Sequence, residues 1–381
     1  MTENLLYFDF YQILLTIVIL ISGTFICLLV GSKQKNDVVI IICIFLWHTF
    51  FSFYYWYYTL HNIADSLLYF SKTSNSILNF SPGTRFTETL TYIVTYFLKS
   101  NYLNTTLVFN IFGSLGLVFF YLSLKRFFNV LGNYWIIIIF IPSISFWSSG
   151  IGKDSVAFLS VCLFLYSIVE SKRFKVSLTS AFLLMFMVRP HIAAVMLVSY
   201  VVYFIVNAKS HIIIKLLILP IIFVGIIFAL SFVQEYVGLE NASLSSIGDY
   251  VDKRQSYNLS GGSSLDIASM SYPMQMFTYI FRPLPFEAHS LLALVTSLEN
   301  TLFLFIFLYL LYRSKFNIKY FIQDKNLWLF IYVFLSCTIL SITTANLGIA
   351  TRQKWMFMPV LIYLLLYVLY TYKINNKNLS K

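Results

Sequence analysis

Residues 9–31 read DFYQILLTIVILISGTFICLLVG. After the opening aspartate the run carries no charged side chain. A helix of about 20 apolar residues matches the hydrocarbon thickness of a bilayer. No small-residue cleavage site follows, so the run reads as a retained helix and not as a removed signal peptide. The whole chain agrees with this reading. Of its 381 residues, 59% are hydrophobic and 11% are charged, whereas a soluble domain carries about a quarter charged residues. One ordinary core cannot hide that much apolar surface from water, so the bilayer is the solvent.

Runs of roughly 18 or more apolar residues mark spans. They fall near residues 9–31, 38–58, 103–124, 133–147, 154–170, 176–190, 191–207, 212–233, 288–312, 326–344 and 354–372, which gives about eleven transmembrane helices. The expectation is an all-α polytopic protein, a single integral membrane domain over 1–381. The stretch 86–98, FTETLTYIVTYFL, is amphipathic and flanked by charge, and reads as an interfacial helix.

Loop charges set the orientation. SKQKND, LKRFF, SKRFK, NAKSHIIIK, RSKFNIKYFIQDK and the tail KINNKNLSK hold most of the Lys and Arg, with Asp37, Glu170 and Asp324 as their acids. The positive-inside rule puts these loops in the cytoplasm, the N-terminus outside and the C-terminus inside. Extracytoplasmic loops then lie near 59–102 and 234–287. The net charge of +11 belongs to this asymmetry and does not indicate a nucleic-acid partner. The cysteines Cys27, Cys43, Cys162 and Cys337 fall inside apolar runs without CxxC spacing, so neither zinc nor a disulfide framework is expected. No metal ligand set and no cofactor motif stands out.

The unusual residues sort to the outer side. SSGIGKDS resembles a nucleotide-binding loop, but it lacks the upstream glycine, and Asp154 stands where Ser or Thr should follow Lys153. What remains is a turn built on Gly150 and Gly152 and the start of a helix at Asp154. With Lys153 this suits a phosphate, or else a tight turn whose lysine reaches the headgroups. In VRPH, Arg189 and His191 interrupt an apolar stretch: an arginine can fork onto phosphate and a histidine can take a proton. FRPLPFEAHS holds Arg282 and Glu287, with Glu287 near a helix start where a carboxylate is favoured. Glu299, further along, needs a partner or a wet cavity. Arg352 and Lys354 sit at an outer helix end. Asp65 and Tyr69, four residues apart in ADSLLYF, share a face if that segment is helical. Together with Arg254 these cations, on the face that should be poor in them, suit an anionic lipid headgroup, above all a diphosphate.

FWSSGIGKDS, VRPH, FRPLPFEA followed by SLEN, and Arg352-Gln353-Lys354 before a proline-bearing last span occur in that order. The pattern resembles bacterial O-antigen or capsule repeat-unit polymerases and related membrane glycosyltransferases. ADSLLYF followed by an amphipathic stretch is similar to the start of the GT-C fold. The resemblance implies a glycosyltransferase of the bacterial inner membrane. It would transfer glycan from a polyprenyl-diphosphate donor to an acceptor at the outer face, without metal or cofactor. A chain-length regulator and a flippase of the same pathway are implied as possible partners. The residues themselves supply the roles within it. Lys153, Asp154, Arg189, Arg282, Arg352, Arg254, Gly150, Gly152 and Tyr69 would bind substrate. Asp65 or His191 would be the base, with Glu287 as a further catalytic carboxylate. Three other readings stay open: a GT-C enzyme adding one sugar from a polyprenyl-phosphate donor, a flippase, or a non-enzymatic membrane subunit.

Overall fold

The computed structural model describes residues 8–32, 34–75, 78–170, 174–207 and 263–379. The expected span 212–233, most of the loop 234–287, and Arg254 lie outside the described residues. Among the described residues the protein is all-helical. Its one β feature is an isolated antiparallel bridge between Ser264 and Asn346. Two units, Met1–Pro190 and His191–Lys381, are taken separately below.

The first unit is built round one helix. Its elements are α1 (Phe10–Gly31), α2 (Lys35–His61), α3 (Asp65–Ser71), α4 (Thr84–Leu98), α5 (Tyr102–Leu131), α6 (Pro142–Ser148), α7 (Lys153–Val169) and α8 (Phe174–Val188). Helix α5 packs against α1, α2 and α7, and α7 packs in turn on α8. Its 30 residues span about 45 Å. The Asn101 side chain caps its start by accepting from the Asn104 amide, and Gly132 ends it at φ 126°. Helix α1 buries Gln12, Leu15, Ile19, Gly23, Cys27 and Gly31, one stripe at helical spacing, and turns Ile13, Ile17, Ile21 and Leu29 outward. An outward face of that kind suits lipid and would not suit water.

At one end of α2 and α5, Asp37 is fully buried. Its carboxylate lies 2.6 Å from Lys125 Nζ, accepts from the Tyr121 hydroxyl at 2.8 Å, and accepts from the Gln34 amide at 3.0 Å. One group thus caps α2 and ties it to α5. Asp37→Ala takes the acceptor from the Tyr121 phenol and leaves the Lys125 ammonium with the Gln34 side-chain oxygen at 3.0 Å. We expect a loss of about 3 kcal/mol, read as a lower thermal midpoint of the detergent-solubilised protein.

The second unit holds α9 (Pro190–Asn207), α10 (Tyr272–Phe281), α11 (Leu291–Arg313), α12 (Asn326–Thr343), α13 (Leu347–Gln353) and α14 (Met358–Leu379). Helix α12 packs on α10 and α14, and α11 packs on α14. Trp328 of α12 stacks on Tyr203 and donates its indole N–H to Ser199 Oγ at 3.1 Å, which binds α9 into the unit.

Among the described residues six helices, α1, α2, α5, α11, α12 and α14, are long and apolar enough to cross a bilayer. The chain is therefore a multi-pass membrane protein. The expected span at 133–147 is instead a 3₁₀ run, Asn133–Phe140, followed by the short α6. Pro142 causes the break: it has no N–H to continue a helix, and it holds Ile141 extended at ψ 124°. The stretches expected at 154–170 and 176–190 form helices of 17 and 15 residues. Helix α7 is buried nearly throughout, so its apolar side chains meet protein. The amphipathic stretch at 86–98 is helical, as α4, and buries Thr87, Glu88, Thr89, Thr91 and Val94.

Candidate functional site

In the first unit the starts of two helices are linked by a side chain. Gly83 precedes α4 at φ 92°, and Gly152 precedes α7 in an extended conformation; neither supplies a side-chain cap. A helix start presents amide hydrogens and the positive end of the helix dipole. Lys153 Nζ donates to Thr84 Oγ1 at 2.8 Å, which joins the two starts. The Gly83 amide donates to the Met187 carbonyl at 2.7 Å, which brings in the end of α8. Arg189 follows α8, and its Nη2 lies 3.0 Å from Asp154 Oδ1. The two side chains are 13% and 12% exposed. The guanidinium Nε is buried and bonds to none of the described residues. Asp154 is in the first turn of α7, where a carboxylate is favoured. Arg85, in the first turn of α4, is largely exposed.

The fold thus brings Arg189 to the stretch that holds Gly150, Gly152, Lys153 and Asp154, two separate parts of the sequence. Asp65 and Tyr69 take different roles despite their spacing. Asp65 is exposed in the first turn of α3. Tyr69 is buried with Tyr102, Phe109 and Ile151, so its ring supports the SSGIG turn from within the core.

The second unit has its own cluster. Arg282 ends α10 and forks onto Glu287, with Nε 2.9 Å and 3.1 Å from the two carboxylate oxygens and Nη2 on Oε1. The Leu284 amide donates to Glu287 Oε2 at 2.7 Å. Burial would raise the Glu287 carboxyl, but these hydrogen bonds and the charges of Arg282 and His289 carry it below its usual value. At neutral pH it is an anion committed to Arg282. The Asn300 amide donates to the Pro283 carbonyl at 3.2 Å, and Asn300 Oδ1 accepts from Lys354 Nζ. Lys354 is fully buried, with its ammonium 5.9 Å from the Phe303 ring centre and 5.7 Å from that of Trp355. Burial disfavours its charge, and the Glu299 carboxylate favours it. FRPLPFE and SLEN therefore meet RQK, 54 residues further on, through Asn300. Arg352 is partly buried in the last turn of α13, and His191 is partly buried in the first turn of α9.

No family model, curated protein or solved structure matches the chain. What the site can do rests on its own chemistry.

Two of the expected cations come already paired, Arg189 with Asp154 and Arg282 with Glu287. An anionic ligand reaches either guanidinium by sharing or displacing a carboxylate. Among the described residues no three His, Cys, Asp or Glu side chains stand together as a metal site.

One further ionisable group is buried in the first unit. His48, in the middle of α2, contacts Asn110, Ser114 and Ser148. Its signal was available, because it is an ionisable residue inside an apolar run. Its partners carry no charge and give no such signal.

Proposed function

We propose that the chain is a membrane glycosyltransferase acting on polyprenyl-diphosphate-linked oligosaccharide. On this reading it polymerises O-antigen or capsule repeat units at the outer face of a bacterial inner membrane. The observation that carries the reading is the meeting of two glycine-capped helix starts at Lys153 and Thr84, with Arg189 beside them. A phosphate placed there would receive amide hydrogens from α4 and α7, an ammonium and a guanidinium.

The same groups stabilise a diphosphate leaving group. As the bond from the anomeric carbon to the diphosphate oxygen lengthens, negative charge grows on that oxygen, and prearranged donors lower the barrier. The acceptor hydroxyl forms the new bond and loses its proton to Asp65 or His191. Asp154 holds Arg189 in place and yields it as charge develops. In the second unit, Glu287 and Asn300 hold the segment after α10 in shape, with Arg282 presented at its head. The partners implied are the lipid-linked donor and acceptor, with a chain-length regulator and a flippase of the pathway.

Deletion in the native host tests the reading. Surface polysaccharide resolved by size should change from a ladder to a single-repeat product. An unchanged ladder overturns the reading. Loss of all glycan would point to an earlier single-sugar transferase or to a flippase.

A further inference from the structure

Helix α2 lays a stripe of three residues against the SSGIG turn. His48, Ser52 and Tyr55 lie on one face of the helix. His48 Nε2 is 2.9 Å from Ser148 Oγ, and the Ser52 hydroxyl donates to the Ser149 carbonyl at 3.2 Å. The Tyr55 ring lies so close to Gly150 that any Cβ there would strike it. Three positions on α2 thus engage three consecutive residues of the turn, in register.

Helix α5 closes the other side. His48 Nδ1 contacts Asn110 Oδ1 and lies 3.2 Å from Ser114 Oγ. The Asn110 amide nitrogen donates to Thr49 Oγ1 at 3.0 Å, which turns its carbonyl oxygen toward the imidazole. Both ring nitrogens are thus engaged, Nδ1 with Asn110 and Ser114 of α5 and Nε2 with Ser148 Oγ, whose own hydroxyl donates to the Ile144 carbonyl at 2.6 Å. Gly113 makes this approach possible, because a Cβ there would strike the His48 ring and the Ser148 carbonyl. His48, Asn110, Ser114 and Ser149 are fully buried. A leucine would fill such a site without the cost of desolvating an imidazole. What the imidazole adds is a directed bond to the end of α6.

We propose that His48 is the positioning residue of the anion-binding turn. Through Ser148 it fixes the end of α6, and so the start of α7 where Lys153 and Asp154 stand. The inference rests on the reading of that turn as a phosphate seat. A misplacement of about 1 Å at a reacting group can cost about a hundredfold in rate.

Two substitutions separate this role from packing. The amide of His48→Gln reaches the place of Nε2, while that of His48→Asn reaches only the place of Nδ1. Turnover is measured with purified protein and the lipid-linked repeat unit extracted from the deletion host. His48→Asn should lower kcat by about 10–100-fold with KM nearly unchanged, and His48→Gln should stay within about threefold of the parent. Ser148→Ala removes the same bond from the other side and should match His48→Asn; it serves where His48→Asn fails to accumulate.

Geometry is read without activity, in a Cys43→Ser background, since Cys27, Cys162 and Cys337 are buried. Thr84→Cys and Lys153→Cys are bridged by a short bifunctional thiol reagent. Bridging should slow with His48→Asn and not with His48→Gln. Equal behaviour of the two variants in bridging overturns the positioning role. A bridging difference in a protein that forms no polymer keeps the positioning role and removes the glycosyltransferase reading.

Discussion

Arg189→Leu should abolish polymer formation and weaken the first unit at once. The substitution takes from the Asp154 carboxylate, which is 12% exposed, the guanidinium whose Nη2 lies 3.0 Å away. Breaking a buried pair from one side typically costs about 3–5 kcal/mol, because a charge is left without compensation. Replacing both partners by apolar residues is often neutral. The double variant Asp154→Leu/Arg189→Leu should therefore recover most of the lost thermal stability. On the proposed reading it should not recover polymer, because the guanidinium that would meet the diphosphate is gone; losing one such donor costs about a hundredfold in rate or more. A double variant with a normal glycan ladder would reduce the pair to a structural clamp.

Lys354→Met should produce the largest stability loss in the second unit. The ammonium is fully buried, serves Asn300 Oδ1, faces two aromatic rings and is favoured by Glu299. Methionine keeps the length of the side chain and removes its charge and donors. Asn300 then loses the partner that joins it to the segment before α14, and Glu299 loses a positive charge that it interacts with. A cost of about 3–5 kcal/mol is expected. Adding Glu299→Gln should recover a large part of it, with a coupling of about 1–3 kcal/mol between the two sites. The check is a double-mutant cycle on thermal unfolding in detergent. Additive effects would separate Glu299 from Lys354 and leave the lysine to Asn300 alone.

The long spans α1, α2 and α5 are legible because an apolar run of that length has no other stable home. The amphipathic α4 is legible because its polar and apolar residues keep helical spacing. The number of crossings is less so. Hydropathy records that α7 is apolar but does not distinguish a helix facing lipid from one enclosed by α5 and α8. Charges in apolar runs point to Lys153, Asp154, Arg189, Arg282 and Glu287 one by one. Nothing local in the sequence pairs Arg189 with a carboxylate 35 residues away, since that pairing depends on where α7 and α8 meet. Tyr69 shows the reverse: its spacing from Asp65 suggests a shared site, while packing against Ile151 takes the ring into the core. His48 carries the signal of an ionisable group in a span, yet its meaning comes from Asn110, Ser114 and Ser148, which are neutral and unremarkable in sequence.

The carboxylate beside Arg189 also bears on selectivity. An anion arriving at this turn meets a guanidinium that already has a partner. A small monoanion such as chloride gains little by competing with Asp154, since one unit of charge merely replaces another. A ligand with two phosphates brings more charge and more acceptor oxygens than a single carboxylate, and can engage Lys153 and both helix starts together. On the proposed reading, Asp154 acts as an internal competitor: it sets a threshold that salt and free carboxylates do not pass and a diphosphate does.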